Sequence, residues 1–141
     1  MKPHVTTFAF SEDTQDVPNQ FGNGSSKHII NPRNLIRPPF LPATPSFSVS
    51  VGVAGIDPNR ENTFSFKISG PDQQLVLDSN DFSLPKNPQH DKSLPDEANG
   101  FFFNFNLRDV PLKVKGKYTA EIYINKEKIG EFALYVFPQG E

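Results

Sequence analysis

From Gly116 to Phe137 apolar and polar residues alternate in two successive runs, and this pattern constrains the fold more than any other part of the chain. Tyr118, Ala120, Ile122 and Ile124 interleave with Thr119, Glu121, Tyr123 and Asn125. After a polar turn, Phe132, Leu134 and Val136 interleave with Ala133 and Tyr135. A period of two with β-branched and aromatic residues marks strands that bury one face and wet the other. The pair predicts a hairpin closed by Lys126-Glu-Lys128, with Ile122 opposite Phe132. Tyr123 and Tyr135 then share the outward face.

Helices are disfavoured elsewhere. The chain has 141 residues, 14 of them proline and 9 glycine, and a proline inside a helix costs about 3 kcal/mol. Only 35% of residues are hydrophobic, but 14 are Phe, and each buried aromatic removes roughly 150–250 Å² from water. A single domain of this length buries roughly 68–70% of its unfolded surface. The expectation is one all-β domain over residues 1–141.

Further strands are read along the chain. Val5 to Phe10 places Phe8 and Phe10 on one face, and Ile29 and Ile30 suit a short strand within Lys27–Asn31. Ser46 to Val53 turns Phe47, Val49, Val51 and Val53 inward, and Thr63 to Ser69 does the same with Phe64, Phe66 and Ile68. Leu75–Leu77 and Asp81–Leu84 are short strands. Phe101 to Leu107 buries Phe101, Phe103, Phe105 and Leu107 and leaves Phe102 outward. Tyr118, Ile122, Phe132 and Leu134 complete the expected core. Seven or eight strands separated by turn signals predict a two-sheet antiparallel β-sandwich.

Two stretches lack this alternation. Ser11 to Pro45 carries Pro18, Pro32, Pro38, Pro39, Pro42 and Pro45 and few apolar residues, and is read as an arm or long connection holding Phe40 and Leu41. Laid over the body, such an arm would cover Phe102; a second subunit would do the same. Pro85 to Gly100 has almost nothing to bury and is read as a mobile loop.

The segments Phe8-Ala-Phe-Ser-Glu-Asp13, Lys27-His-Ile-Ile30, Phe47-Ser-Val-Ser-Val-Gly-Val53, Phe64-Ser-Phe-Lys-Ile-Ser-Gly-Pro-Asp72 and Ile122-Tyr-Ile-Asn125 occur in an order that resembles a group of uncharacterised small bacterial β-sandwich proteins. Gly116-Lys-Tyr118 before the last hairpin is similar to immunoglobulin-like modules. The resemblance implies an immunoglobulin-like fold and transfers no catalytic residue.

A net charge of -2 lacks the dense basic footprint that nucleic acid requires. Lys113, Lys115 and Lys117 read as a solvated edge that discourages aggregation. With no cysteine, there is neither a disulfide framework nor a thiolate site. No stretch approaches the roughly 20 apolar residues that span a bilayer, and with Met1 as the native start the expected compartment is the cytoplasm. His4, His28 and His90 stand far apart at no metal-ligand spacing, and no Gly-x-Ser-x-Gly elbow accompanies His90-Asp91. Carboxylates gather at Glu12, Asp13 and Asp16, and at Asp78 and Asp81 beside Asn80, in spacings that also serve ordinary turns. No catalytic, cofactor-binding or metal residue is therefore assigned.

The expected function is a non-catalytic binding or structural module whose partner is another protein or a second copy, a homodimer included. Tyr123, Tyr135, Phe102 and Phe40 are the expected ligand or partner contacts. One alternative is a carbohydrate-binding module using the outward tyrosines. Another is an enzyme subunit with a carboxylate or His90 site in the Pro85–Gly100 loop.

Overall fold

Two facing sheets result from these alternations. The computed structural model describes residues 2–20, 22, 24–86 and 92–140. In chain order the strands are β1 (His4–Pro18), β2 (Ser25–Arg33), β3 (Leu35–Ile36), β4 (Phe47–Ala54), β5 (Asn62–Ser69), β6 (Leu75–Asp78), β7 (Phe82–Leu84), β8 (Gly100–Leu107), β9 (Gly116–Ile124) and β10 (Glu127–Val136). One sheet runs β2-β1-β4-β8; the other runs β3-β10-β9-β5-β6, with β7 also paired to β5. Ten described strands exceed the seven or eight read from the sequence. β2, β6 and β7 correspond to the short strands read at Lys27–Asn31, Leu75–Leu77 and Asp81–Leu84, and the two-residue β3 has no counterpart in that reading. The pairing is antiparallel except that β3 runs parallel to β10, which corrects the wholly antiparallel expectation. No helix among the described residues is long and apolar enough to cross a membrane.

The core is layered. In the first sheet Phe10, Val49 and Phe105 form one inward row, and Phe8, Val51 and Phe103 the next. In the second, Phe64 pairs with Ile124, Phe66 with Ile122, and Ile68 with Ala120. Aromatic rings join the layers: the Phe64 and Phe103 centroids lie 4.5 Å apart, and those of Phe66 and Phe105 4.8 Å. Phe47, Val49, Val51, Phe64, Phe66, Ile68, Tyr118, Ile122 and Leu134 are buried as expected, while Phe103, Phe105, Leu107 and Phe132 are partly buried against them. Along one side β1 approaches β10, where the Phe8 and Phe132 rings stack at 4.2 Å. A bulge between Val5 and Thr7 lets both Val5 and Phe8 face inward despite their odd spacing.

Tyr118, 1% exposed, begins β9 and its hydroxyl donates to the Val114 carbonyl at 2.6 Å. A tyrosine bonded back to the backbone just upstream, at the entry to the penultimate strand, is a tyrosine corner. With two facing sheets, this corner and β3 in parallel contact with the last strand, the arrangement is immunoglobulin-like. Burial raises the Tyr118 pKa, opposed by the backbone bonding at Val114. Tyr118→Phe leaves the Val114 carbonyl without this donor and should cost about 1–3 kcal/mol. The check is a lower urea midpoint with an unchanged m-value.

Several expectations are corrected. The last hairpin closes through Asn125–Lys126, not Lys126–Lys128: Ile124 pairs with Glu127, and Phe132 faces Ala120 while Ile122 faces Gly130. Both turn residues have positive φ (51° and 67°), the two-residue geometry whose twist matches the flanking strands. Asn125 adopts it readily, and its side chain also binds Asn62 and the Thr63 amide at 2.9 Å each. A bulge between Lys128 and Gly130 restores the parity, so Tyr123 and Tyr135 still point outward.

Ser11–Pro45 is not an arm over its first two-thirds. β1 continues to Pro18 and returns as β2, a polar ribbon bound edge to edge from Phe10↔Arg33 to Pro18↔Ser25. Both of its faces are largely wet, so no apolar alternation announces it. The remaining proline-rich segment lies against the end of the sandwich: Ala43 and Leu112 exchange backbone bonds, and Val110 donates to the Pro45 carbonyl. It does not reach Phe102, which instead lies over Gly52 of its own sheet; a Cβ on Gly52 would stand 3.2 Å from the Phe102 ring. On this outer face Ser48 and Ser50 donate to Asn106 and Asn104, which allows both faces of β4 to be buried.

The end of the Pro85–Gly100 loop is fastened. A short 3₁₀ turn spans Asp96–Ala98, and the Asn99 carbonyl accepts bonds from the Gly55 and Ile56 amides at 2.8 and 3.1 Å. His90 and Asp91 lie outside the described residues.

Candidate functional site

The four expected contact residues fall in four different places. Tyr123 and Tyr135 do not form a platform. Tyr123 is opposite Ser65 on β5 and Lys128 on β10, whereas Tyr135 is opposite Lys117. The six-residue offset along β9 separates them by roughly 20 Å. Phe102 covers Gly52 in the other sheet, and Phe40 lies at the end of the sandwich.

Tyr123 stands at a polar basin on the outer face of the second sheet. Strand pairing sets its frame: Ser65 lies beside Tyr123, and Lys67 lies between Glu121 and Asp78. The turn after β6 brings Asn80 and Asp81 to the rim, with the Asn80 amide bound to the Asp78 carboxylate at 2.8 Å. The hairpin turn contributes Lys126. Together Ser65, Lys67, Asp78, Asn80, Asp81, Tyr123 and Lys126 line a cavity of about 350 Å³.

Charge is balanced around it. The Tyr123 hydroxyl donates to Glu121 at 3.2 Å, and Lys128 binds the same carboxylate oxygen at 3.2 Å. Lys67 holds its ammonium 5.2 Å from the Tyr123 ring centroid, a cation–π contact. Burial raises the Tyr123 pKa, and the charge and hydrogen bond of Glu121 raise it further. Lys128 is raised too, first by its hydrogen bond to Glu121 and then by the charges of Glu131 and Glu121. Sequence reading singled out Tyr123 and the Asp78–Asp81 turn separately. It missed Ser65 and Lys67, whose only signal was the outward parity they share with Tyr123, and placed Lys126 only in the hairpin turn.

The other acidic group is consumed by the ribbon. Glu12 binds Arg33 at 3.5 Å and Asn31 at 2.9 Å, Asp16 binds Lys27 at 3.4 Å, and Asp13 accepts from the Thr14 amide. Among the described residues no group of three or more His, Cys, Asp or Glu side chains is placed to hold a metal ion.

Phe40 forms a second feature. The ring is 69% exposed, more than any other large apolar side chain described. Pro39, Phe40, Leu41, Val114 and Pro138 line an open depression with Lys113, Lys115 and Gln139. Its walls are held in place: Gln139 donates its amide to the Pro38 carbonyl at 2.8 Å and its side chain to the Arg37 carbonyl at 3.0 Å. Arg37 in turn donates to the Pro138 carbonyl at 3.0 Å.

No protein-family profile matches the chain, and no curated protein matches it. Among solved structures, the chain is similar to the alkylpurine DNA glycosylase AlkC of Pseudomonas fluorescens, bound to DNA containing an abasic site analog. The TM-score is 0.50 at 9% identity, over 95% of this chain and 30% of that one. This chain thus spans less than a third of the glycosylase. An immunoglobulin-like protein from Pseudomonas aeruginosa aligns over 97% of this chain and 98% of its own length, at 12% identity and a TM-score of 0.39. At these identities what is shared with the glycosylase is a fold.

Proposed function

We propose that the chain is a non-catalytic protein-binding module that seats an acidic partner segment, anchored by an apolar side chain, against Phe40. The observation that carries this reading is the exposure of Phe40 on a fastened segment. A large ring held out to water by a slack loop could turn inward; here backbone bonds on both sides oppose that movement. A pre-positioned aromatic loses little conformational freedom on binding, as interface hot spots require. Lys113 lines the depression and Arg37 stands beside it. An apolar centre with a cationic border favours a partner carrying Asp or Glu around an aromatic or aliphatic anchor. The DNA of the glycosylase complex is a weaker guide to the partner, since this chain's net charge is -2.

The test selects phage-displayed peptides on the intact chain and measures the best binder against the parent and Phe40→Asp. The exposed substitution should leave stability within about 0.5 kcal/mol and weaken the peptide by at least about tenfold. Binding should also weaken as salt rises. Selected peptides without acidic residues, or equal affinity for Phe40→Asp, would overturn the reading. A dimer of the parent that Phe40→Asp dissolves would replace it with self-association.

A further inference from the structure

We infer that the basin at Tyr123 is a binding site for a neutral polyhydroxylated ligand, a sugar residue. This inference is independent of the Phe40 depression, which lies at another part of the molecule.

The floor supplies the first reason. Ser65 is 5% exposed and lines the basin, yet its hydroxyl makes no hydrogen bond among the described residues. The hydroxyl is not sealed from the basin, so it is open to a partner there, and a ligand hydroxyl entering the basin would bond it in place of water. Other serines of the sandwich show the contrast: Ser48, Ser50 and Ser79 each have a named partner.

The wall chemistry supplies the second. Asp78 and Asp81 offer acceptors, Lys67 and Lys126 offer donors, and Asn80 and Ser65 offer both kinds. Two carboxylates and two ammonium groups leave the lining neutral. A metal ion would meet two lysines, and a phosphate or carboxylate would meet two aspartates, so neither ion gains a net field. A hydroxyl is at once donor and acceptor and suits every one of these groups. An array of hydroxyls on a rigid ring is therefore the chemistry that uses the whole lining. The volume of about 350 Å³ lies near the small end of ligand sites, roughly 300–1,000 Å³, and suits one or two sugar rings.

The third reason is rigidity. Ser65, Lys67 and Tyr123 project from paired strands, Asp78 is fixed by the Asn80 amide, and the Asn125 side chain ties the Lys126 turn to β5. Lys67 is parked on the Tyr123 ring and can turn toward a ligand oxygen without a backbone change.

The experiment titrates the intact ¹⁵N-labelled chain with maltotriose, cellotriose, mannotriose and chitotriose, and separately with calcium chloride and sodium phosphate. At least one sugar should shift the amides of Ser65, Lys67 and Tyr123 saturably. Ser65→Ala keeps nearly the volume while removing the hydroxyl; Asp81→Ala removes a rim acceptor from an exposed position. Each should weaken that sugar by about tenfold, and thermal unfolding of both variants checks the fold. If Ser65→Ala fails to fold, Asp81→Ala and Lys126→Ala decide. The inference is overturned if none of the four sugars shifts these amides, if only calcium or phosphate does, or if the folded variants bind as tightly as the parent.

Discussion

Replacing Phe66 by alanine is expected to destabilise the protein by about 3–5 kcal/mol, the range for deleting a buried aromatic ring. Phe66 is 1% exposed and sits at the centre of β5, opposite Ile122 in its own sheet and against Phe105 of the other. Removing the ring opens a void that neither sheet can close, because each strand is fixed by its ladder. Since a domain is typically stable by about 5–15 kcal/mol, the variant should be close to unfolding at physiological temperature. Phe105→Ala should cost less, because Phe105 is only partly buried. Urea unfolding followed by circular dichroism compares them; equal midpoints for the two variants would contradict the layered core described above.

A single methyl group at position 100 should be nearly as damaging. Gly100 opens β8 opposite Ala54, and a Cβ there would stand 1.8 Å from the carbonyl oxygen of Val53. The obstacle is backbone, so relief requires the strands to part. Gly100→Ala should therefore reach or exceed the roughly 1–3 kcal/mol typical of overpacking. It should also loosen the neighbouring bonds from the Gly55 and Ile56 amides to the Asn99 carbonyl, visible as faster hydrogen exchange at those two amides. Gly22→Ala, with nothing within 4 Å of its Cβ, is the control and should be near neutral. Unchanged exchange at Gly55 and Ile56 in Gly100→Ala would show that the close approach is not rigid.

The alternating segments by themselves determined the all-β sandwich, its main strands and the inward residues of β4, β5, β8, β9 and β10. Burying one face of a strand leaves a period of two in the composition, and this signal needs no partner to be read. The outward position of Tyr123 and Tyr135 followed from the same parity even though the expected turn was misplaced. The two-residue turn alone would invert that parity, and the bulge between Lys128 and Gly130 restores it; choosing Asn125–Lys126 over Lys126–Lys128 required the left-handed backbone and the bonds from Asn125 to Asn62 and Thr63.

Tertiary structure alone decided what has no periodicity. The β1–β2 ribbon is polar on both faces, so nothing in Glu12–Pro18 distinguishes a strand from a loop until the β2 backbone lies beside it. The placement of Phe102 over Gly52 depends on which strands are neighbours, as does the separation of Tyr123 from Tyr135 by the length of β9. The basin shows the same physics at a site. Ser65, Asp78 and Tyr123 are distant in sequence, and only the pairing of β5 with β6 and β9 places them together. Parity states which way a side chain points, but the register between strands decides what it meets there.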